Sequence, residues 1–145
     1  MSMKVNPFYN IEAPVGPYQP NRPDDVSLVQ YLLVKVATKT VGRWKTPESA
    51  LTVTGTYSPA LGEWIMSYQK ATKCVNDGVV HPQTNPHWKV AANDVYGTIL
   101  SLNASFRNNF GAARHDNMVG EPDLPGNLRQ ALSQTNSRPG MGSMA

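Results

Sequence analysis

The chain has 145 residues, 40% of them hydrophobic, which suits one small core and is too little for several domains. Lys and Arg exceed Asp and Glu by 13 to 10, a surplus too small to argue for nucleic acid as a partner. Its single cysteine, Cys74, excludes an internal disulfide, and no apolar run approaches the roughly 20 residues that a membrane-spanning helix needs.

Residues 1–23 carry five prolines and no helical period, the pattern of an extended arm. Val5, Phe8, Tyr9, Ile11, Val15 and Tyr18 make this arm more apolar than a solvated linker, so it is expected to lie on a surface, its own or a neighbour's. No apolar signal-peptide core is visible here, and the chain is expected to be made in a cytoplasm.

Asp24 and Asp25 are expected to cap a first helix, with Val26, Val29, Leu33 and Val36 on one stripe and Leu28 and Leu32 widening it. That helix fades near Thr38–Thr40 into an exposed loop from Val41 to Pro47. The basic residues between Lys35 and Lys73 read as a solvated face.

The clearest architecture lies between Leu51 and Lys70. Gly55 marks a turn, Ser58 and Pro59 start a second helix, and Leu61, Trp64, Ile65 and Tyr68 fall at i, i+3, i+4 and i+7 on its buried face. The loop pattern Thr54-Gly55-x-x-x-Pro59 returns 23 positions later as Asp77-Gly78-x-x-x-Pro82. Val79-Val80 reads as a very short strand or bridge, with Leu51–Val53 as a possible partner.

A third helix is expected from a cap at Asn93–Asp94, with Val95, Ile99, Leu102 and Phe106 on one face and Gly111 as its stop. Beyond it the pattern weakens, leaving one short helical candidate from Pro125 to about Ser133 and a tail. The organisation expected is an arm over 1–23, a helical domain over 24–111 and an irregular C-terminal arm over 112–145.

Chemical signatures are sparse. Cys74, His81, His87 and His115 do not have the spacing of a zinc site, and no metal or other cofactor is expected. Neither a nucleophile with its base nor a pair of converging carboxylates is visible, which argues against an enzyme. Trp44, Tyr57 and Trp88 sit in loops, where flat apolar faces stack on sugar rings or grip a peptide.

Taken together, Val29-Gln30 in the first helix, Leu51-x-Val53-x-Gly55-x-Tyr57-x-Pro59, Ile65-x-x-Tyr68-Gln69, and Asp77-Gly78-Val79-x-x-Pro82-x-Thr84 resemble the peptidoglycan-binding-like domain. Thr54 stands where that family's first loop usually has Asp, and Tyr68 where it has Phe. The resemblance spans roughly residues 24–105 and implies a mainly α, compact three-helix bundle. In it Gln30, Gly55, Gln69, Asp77 and Gly78 hold loops to helices. It also implies a non-enzymatic structural or docking subunit of a bacteriophage virion, in the tail or fibre region, with both arms packed on neighbouring subunits. The alternative it implies is a cell-wall-binding module that recognises peptidoglycan and targets a partner hydrolase.

Overall fold

The computed structural model describes residues 8–40, 42–72, 74–83 and 97–133. Among them the chain forms five α-helices and one 3₁₀ turn: α1 (Pro23–Lys39), α2 (Pro59–Ala71), α3 (Thr98–Phe110), α4 (Ala112–Asp116), the turn Met118–Gly120, and α5 (Gly126–Leu132). The fold is a mainly α bundle; α5 falls on the short helical candidate expected from Pro125 to about Ser133, and α4 is the helix that the sequence did not announce.

Helix α1 is its axis. Every residue from Asp25 to Leu33 is buried, and α2, α3 and α5 all pack against it. The stripe seen in the sequence therefore widens to nearly the whole circumference, as it does for a helix surrounded by others. Leu61, Trp64, Ile65 and Tyr68 of α2, and Ile99, Leu102 and Phe106 of α3, complete the core.

The caps differ in detail from expectation. Ser58 does cap α2, its hydroxyl accepting from Leu61 N at 3.3 Å with Pro59 at the first position. At α1, however, the cap is Arg22, and Asp24 and Asp25 lie in the first turn. Asp25 is buried, and its two oxygens accept from Glu12 N at 3.0 Å and Ala13 N at 3.1 Å. The carboxylate holds the preceding segment. The expected cap of α3 at Asn93–Asp94, with Val95, lies outside the described residues; where α3 is described it starts at Thr98, and Gly111 ends it.

Two boundaries also move. Phe8, Tyr9, Ile11 and Val15 are buried in the chain's own core, so residues 8–22 belong to the fold. Asn103 fixes this segment by accepting from Tyr9 N at 3.0 Å and donating to Tyr9 O at 2.9 Å. Residues 112–133 are likewise not an arm, because Met118, Leu124, Leu128 and Leu132 enter the same core. Tyr31 and Lys35 of α1 reach this stretch through Asp123, at 2.7 and 3.0 Å. Burial pushes the Asp123 pKa up, but the bonds from Tyr31 and Lys35 outweigh it and leave the net shift downward.

No strand forms among the described residues. Val80 does make a β-bridge, but its partner is Val15 and not the 51–53 segment, with paired bonds of 2.9 and 2.8 Å. The reason is burial: Val15 and Val80 are both fully enclosed, and their backbone polar groups must find partners there.

Candidate functional site

Two loops of nearly identical construction flank α2. Gln30 of α1 is buried, and its amide oxygen accepts from Thr54 N at 2.8 Å and Gly55 N at 3.0 Å. Its nitrogen donates to Thr54 Oγ1 at 3.0 Å and Thr56 O at 3.3 Å. Gln69 of α2 repeats this arrangement, accepting from Gly78 N at 2.8 Å and donating to Val79 O at 3.0 Å. Gly55 and Gly78 both take left-handed φ, +79° and +76°, a conformation that costs other residues a clash with Cβ. Asp77 closes the second turn by accepting from Val79 N at 3.0 Å.

Between these loops and the loop after α1 runs an open groove of about 780 Å³ along the solvent side of α2. Its walls bring together two of the aromatic residues singled out in the sequence, Trp44 and Tyr57. Trp88 lies outside the described residues. Trp44 is more core than ledge: it is 7% exposed, stands edge-on to Trp64 and Tyr68, and donates from Nε1 to Ser67 Oγ at 2.9 Å. Tyr57 is half-buried, and its burial raises its pKa. Its hydroxyl lies over Gly62, where a Cβ would come within 2.6 Å of it. Gly62 is thus the residue that lets the hydroxyl end of the ring approach α2.

The groove floor is apolar, through Met66 and Ala71, and its rim is charged. Arg43, Lys45 and Lys70 supply three exposed cations, Glu63 and Asp77 two exposed carboxylates. Each carboxylate is engaged: Glu63 accepts from Ser49 Oγ at 2.8 Å, and Asp77 pairs with His81 at 3.3 Å. Such a surface can seat a ligand with flat apolar and polar faces. Pro17, Asp77 and Gly78 form its far end, so the first turn of the N-terminal segment also borders it.

Of the remaining candidates, Cys74 is buried and His115 is fully enclosed, in the segment that holds Tyr9. His115 Nδ1 faces Asp116 Oδ1 at 3.0 Å and its Nε2 faces Asn103 Oδ1 at 3.0 Å. Burial lowers its pKa, more than Asp116 raises it. Arg107 also bonds Asp116. Among the described residues no group of three or more His, Cys, Asp or Glu side chains is placed to hold a metal ion, and no helix is long and apolar enough to cross a membrane. Sequence reasoning missed Asp25, Asn10 and Asn103 as ties; their roles depend on partners 12 to 94 residues away. Comparison with family models, with curated proteins and with solved structures found no match.

Proposed function

We propose that this chain is a non-enzymatic binding module of the peptidoglycan-binding-like kind, which docks on bacterial cell wall through the groove along α2. The observation that carries this reading is the doubled clamp: a buried helix glutamine holding a left-handed glycine, once at Gly55 and again at Gly78. Those are the positions at which the sequence resembles that family, and the groove lies between the two loops they shape. Its carboxylates are tied to Ser49 and His81, an arrangement that serves a surface better than proton transfer.

The setting expected from the sequence, a docking subunit of a phage tail or fibre, is compatible with the same module. Phe8, Tyr9, Ile11 and Val15 of segment 8–22 turn into the chain's own core, which favours recognition by the groove over weaving of that segment into neighbours.

Co-sedimentation with purified sacculi tests the proposal. The full chain is expected in the pellet, and Met66→Glu, which places a charge on the apolar floor, is expected to leave it in the supernatant with an unchanged circular dichroism spectrum. A wild-type chain that stays in solution at every sacculus concentration would sink the reading.

A further inference from the structure

The charges around the α2 groove do not cancel. Elsewhere among the described residues the cations are matched: Arg22 pairs with Glu12, Lys35 with Asp123, Arg107 with Asp116 and Arg114 with Glu121. Arg129 bonds the carbonyls of Glu121 and Leu124, and Lys39 stands over the Phe110 ring. The cations left over are Arg43, Lys45 and Lys70, and all of them line the groove. Arg43 donates to Lys39 O at 3.3 Å and to Asn109 Oδ1 at 3.2 Å, neither of which neutralises it. The exposed ammonium groups of Lys45 and Lys70 have no ion-pair or hydrogen-bond partner among the described residues.

These cations gather at one end. Ser67 Oγ accepts from Trp44 Nε1 at 2.9 Å and donates to Lys45 O at 3.2 Å, which fastens the 43–45 loop against the middle of α2. Lys70 stands one turn further on, on the same helix face as Ser67. Glu63 lies one turn before Ser67 and is bonded to Ser49, while Asp77, at the far end, is bonded to His81 and to Val79 N. The groove thus presents unmatched positive charge beside the apolar floor of Met66 and Ala71.

Such a surface asks for a ligand that is anionic and partly apolar. Cell wall offers two components. Its glycan strand is a chain of N-acetylated sugars with no charge along its length, whereas the peptide stems attached to it are rich in alanine and hold more free carboxylates than amines. Length points the same way. From Gly62 to Ala71, both in the groove lining, α2 rises about 14 Å, which an extended peptide spans with about four residues, the size of a stem.

We propose that the groove takes the peptide stem of the wall, with the stem's carboxylates facing Lys45 and Lys70 and its alanine methyls on Met66 and Ala71, and that it does not hold the glycan strand. This rests on the wall-binding reading and narrows it to one class of ligand, a short anionic peptide. Phosphate-bearing wall polymers share the negative charge but bring no apolar side chains to the floor.

The test titrates the full chain calorimetrically with two probes, the stem tetrapeptide released from sacculi by an amidase and a β-1,4-linked N-acetylglucosamine hexamer, with sacculus co-sedimentation alongside. The tetrapeptide is expected to bind and the hexamer to give no heat. The double variant Lys45→Gln/Lys70→Gln is expected to bind the tetrapeptide roughly tenfold more weakly, and Lys45→Arg/Lys70→Arg to stay within about twofold of wild type. Both side chains are exposed, so the unfolding midpoints should match wild type. Salt at about 0.5 M should weaken the wild-type chain more than the Gln variant. Three results would each overturn this proposal and leave the wall reading standing: sacculus binding without tetrapeptide binding, equal tetrapeptide affinity of wild type and Gln variant, or hexamer affinity that matches the tetrapeptide's. Sacculus binding that vanishes once phosphate polymers are stripped with hydrofluoric acid would overturn it too, by assigning the charge to those polymers. Failure with both probes and with sacculi would take down the groove reading and this one together.

Discussion

The two glutamine clamps look alike in sequence and differ in reach. Gln30 ties α1 to the 54–56 loop and to nothing else, through four bonds whose loop partners are half-exposed or exposed. Gln69 holds Gly78 and Val79 but also donates to Thr98 Oγ1 at 3.0 Å, at the first residue of α3. The loop it holds continues into the Val15–Val80 bridge and on to Gln83, which exchanges bonds of 3.0 and 2.9 Å with Asn10. One clamp shapes a loop. The other joins two helices and the N-terminal segment, so the far wall of the groove is the better braced of the two.

The largest effect follows directly. Gln69→Ala strands a buried amide, a carbonyl and a hydroxyl at once, and is expected to cost about 3 kcal/mol in urea-unfolding free energy. Gln30→Ala should cost about 1 to 2 kcal/mol, because water can reach Thr54 and Thr56 once the amide is gone. Equal losses would break the distinction between the clamps.

Replacing the glycines should reverse that order. A Cβ on Gly55 would sit 3.1 Å from Ser27 Oγ, on the buried side of α1, whereas one on Gly78 would meet Met66 Sδ at 3.1 Å. The thioether can swing away and the serine has little room. Gly55→Ala is therefore expected to lose about 2 kcal/mol and Gly78→Ala about 1, each including the penalty for left-handed backbone. Since Met66 swings into the groove, Gly78→Ala should weaken sacculus binding more than Gly55→Ala does, although it unfolds less easily.

Acid should separate the two loops as well. Segment 8–22 braces only the second, and it is held by Asn103, which His115 faces. Burial lowers the His115 pKa below its ordinary 6.5, so the unfolded chain takes up the proton first. This contribution to stability is complete above pH 6.5 and is lost as the pH falls toward the folded value. Amide-exchange protection, corrected for intrinsic rates, is expected to fall more at Gly78 than at Gly55 between pH 7 and 5. The opposite slope would mean that the two acceptors, Asp116 Oδ1 and Asn103 Oδ1, outweigh burial and keep both ring nitrogens protonated.

These contrasts show what a single sequence discloses. The stripes of α1, α2 and α3, the Ser58–Pro59 start and the Gly55/Gly78 echo are local patterns, set by backbone geometry within a few residues, and were legible. Trp44 and Tyr57 were legible as loop aromatics, but not that the first turns inward toward Trp64 while the second lies over Gly62. Segment 8–22 read as an arm because proline removes helical period, whereas its docking depends on Asp25, Asn103 and Val80, distant in sequence. Helix α4 is only five residues long and offers too few turns to show a periodicity. Burial by long-range partners leaves no local mark.

The smallest expected effect concerns the brace itself. Tyr18→Gly relieves left-handed strain of order 1 kcal/mol at the turn seated on the second loop, offset in part by the greater freedom of glycine in the unfolded chain. The unfolding midpoint should therefore hold or rise slightly. A residue retained for folding behaves the other way round: its removal lowers the midpoint. If Tyr18→Gly destabilised the chain and loosened exchange at Gly78, the ring would belong to the brace of the second loop.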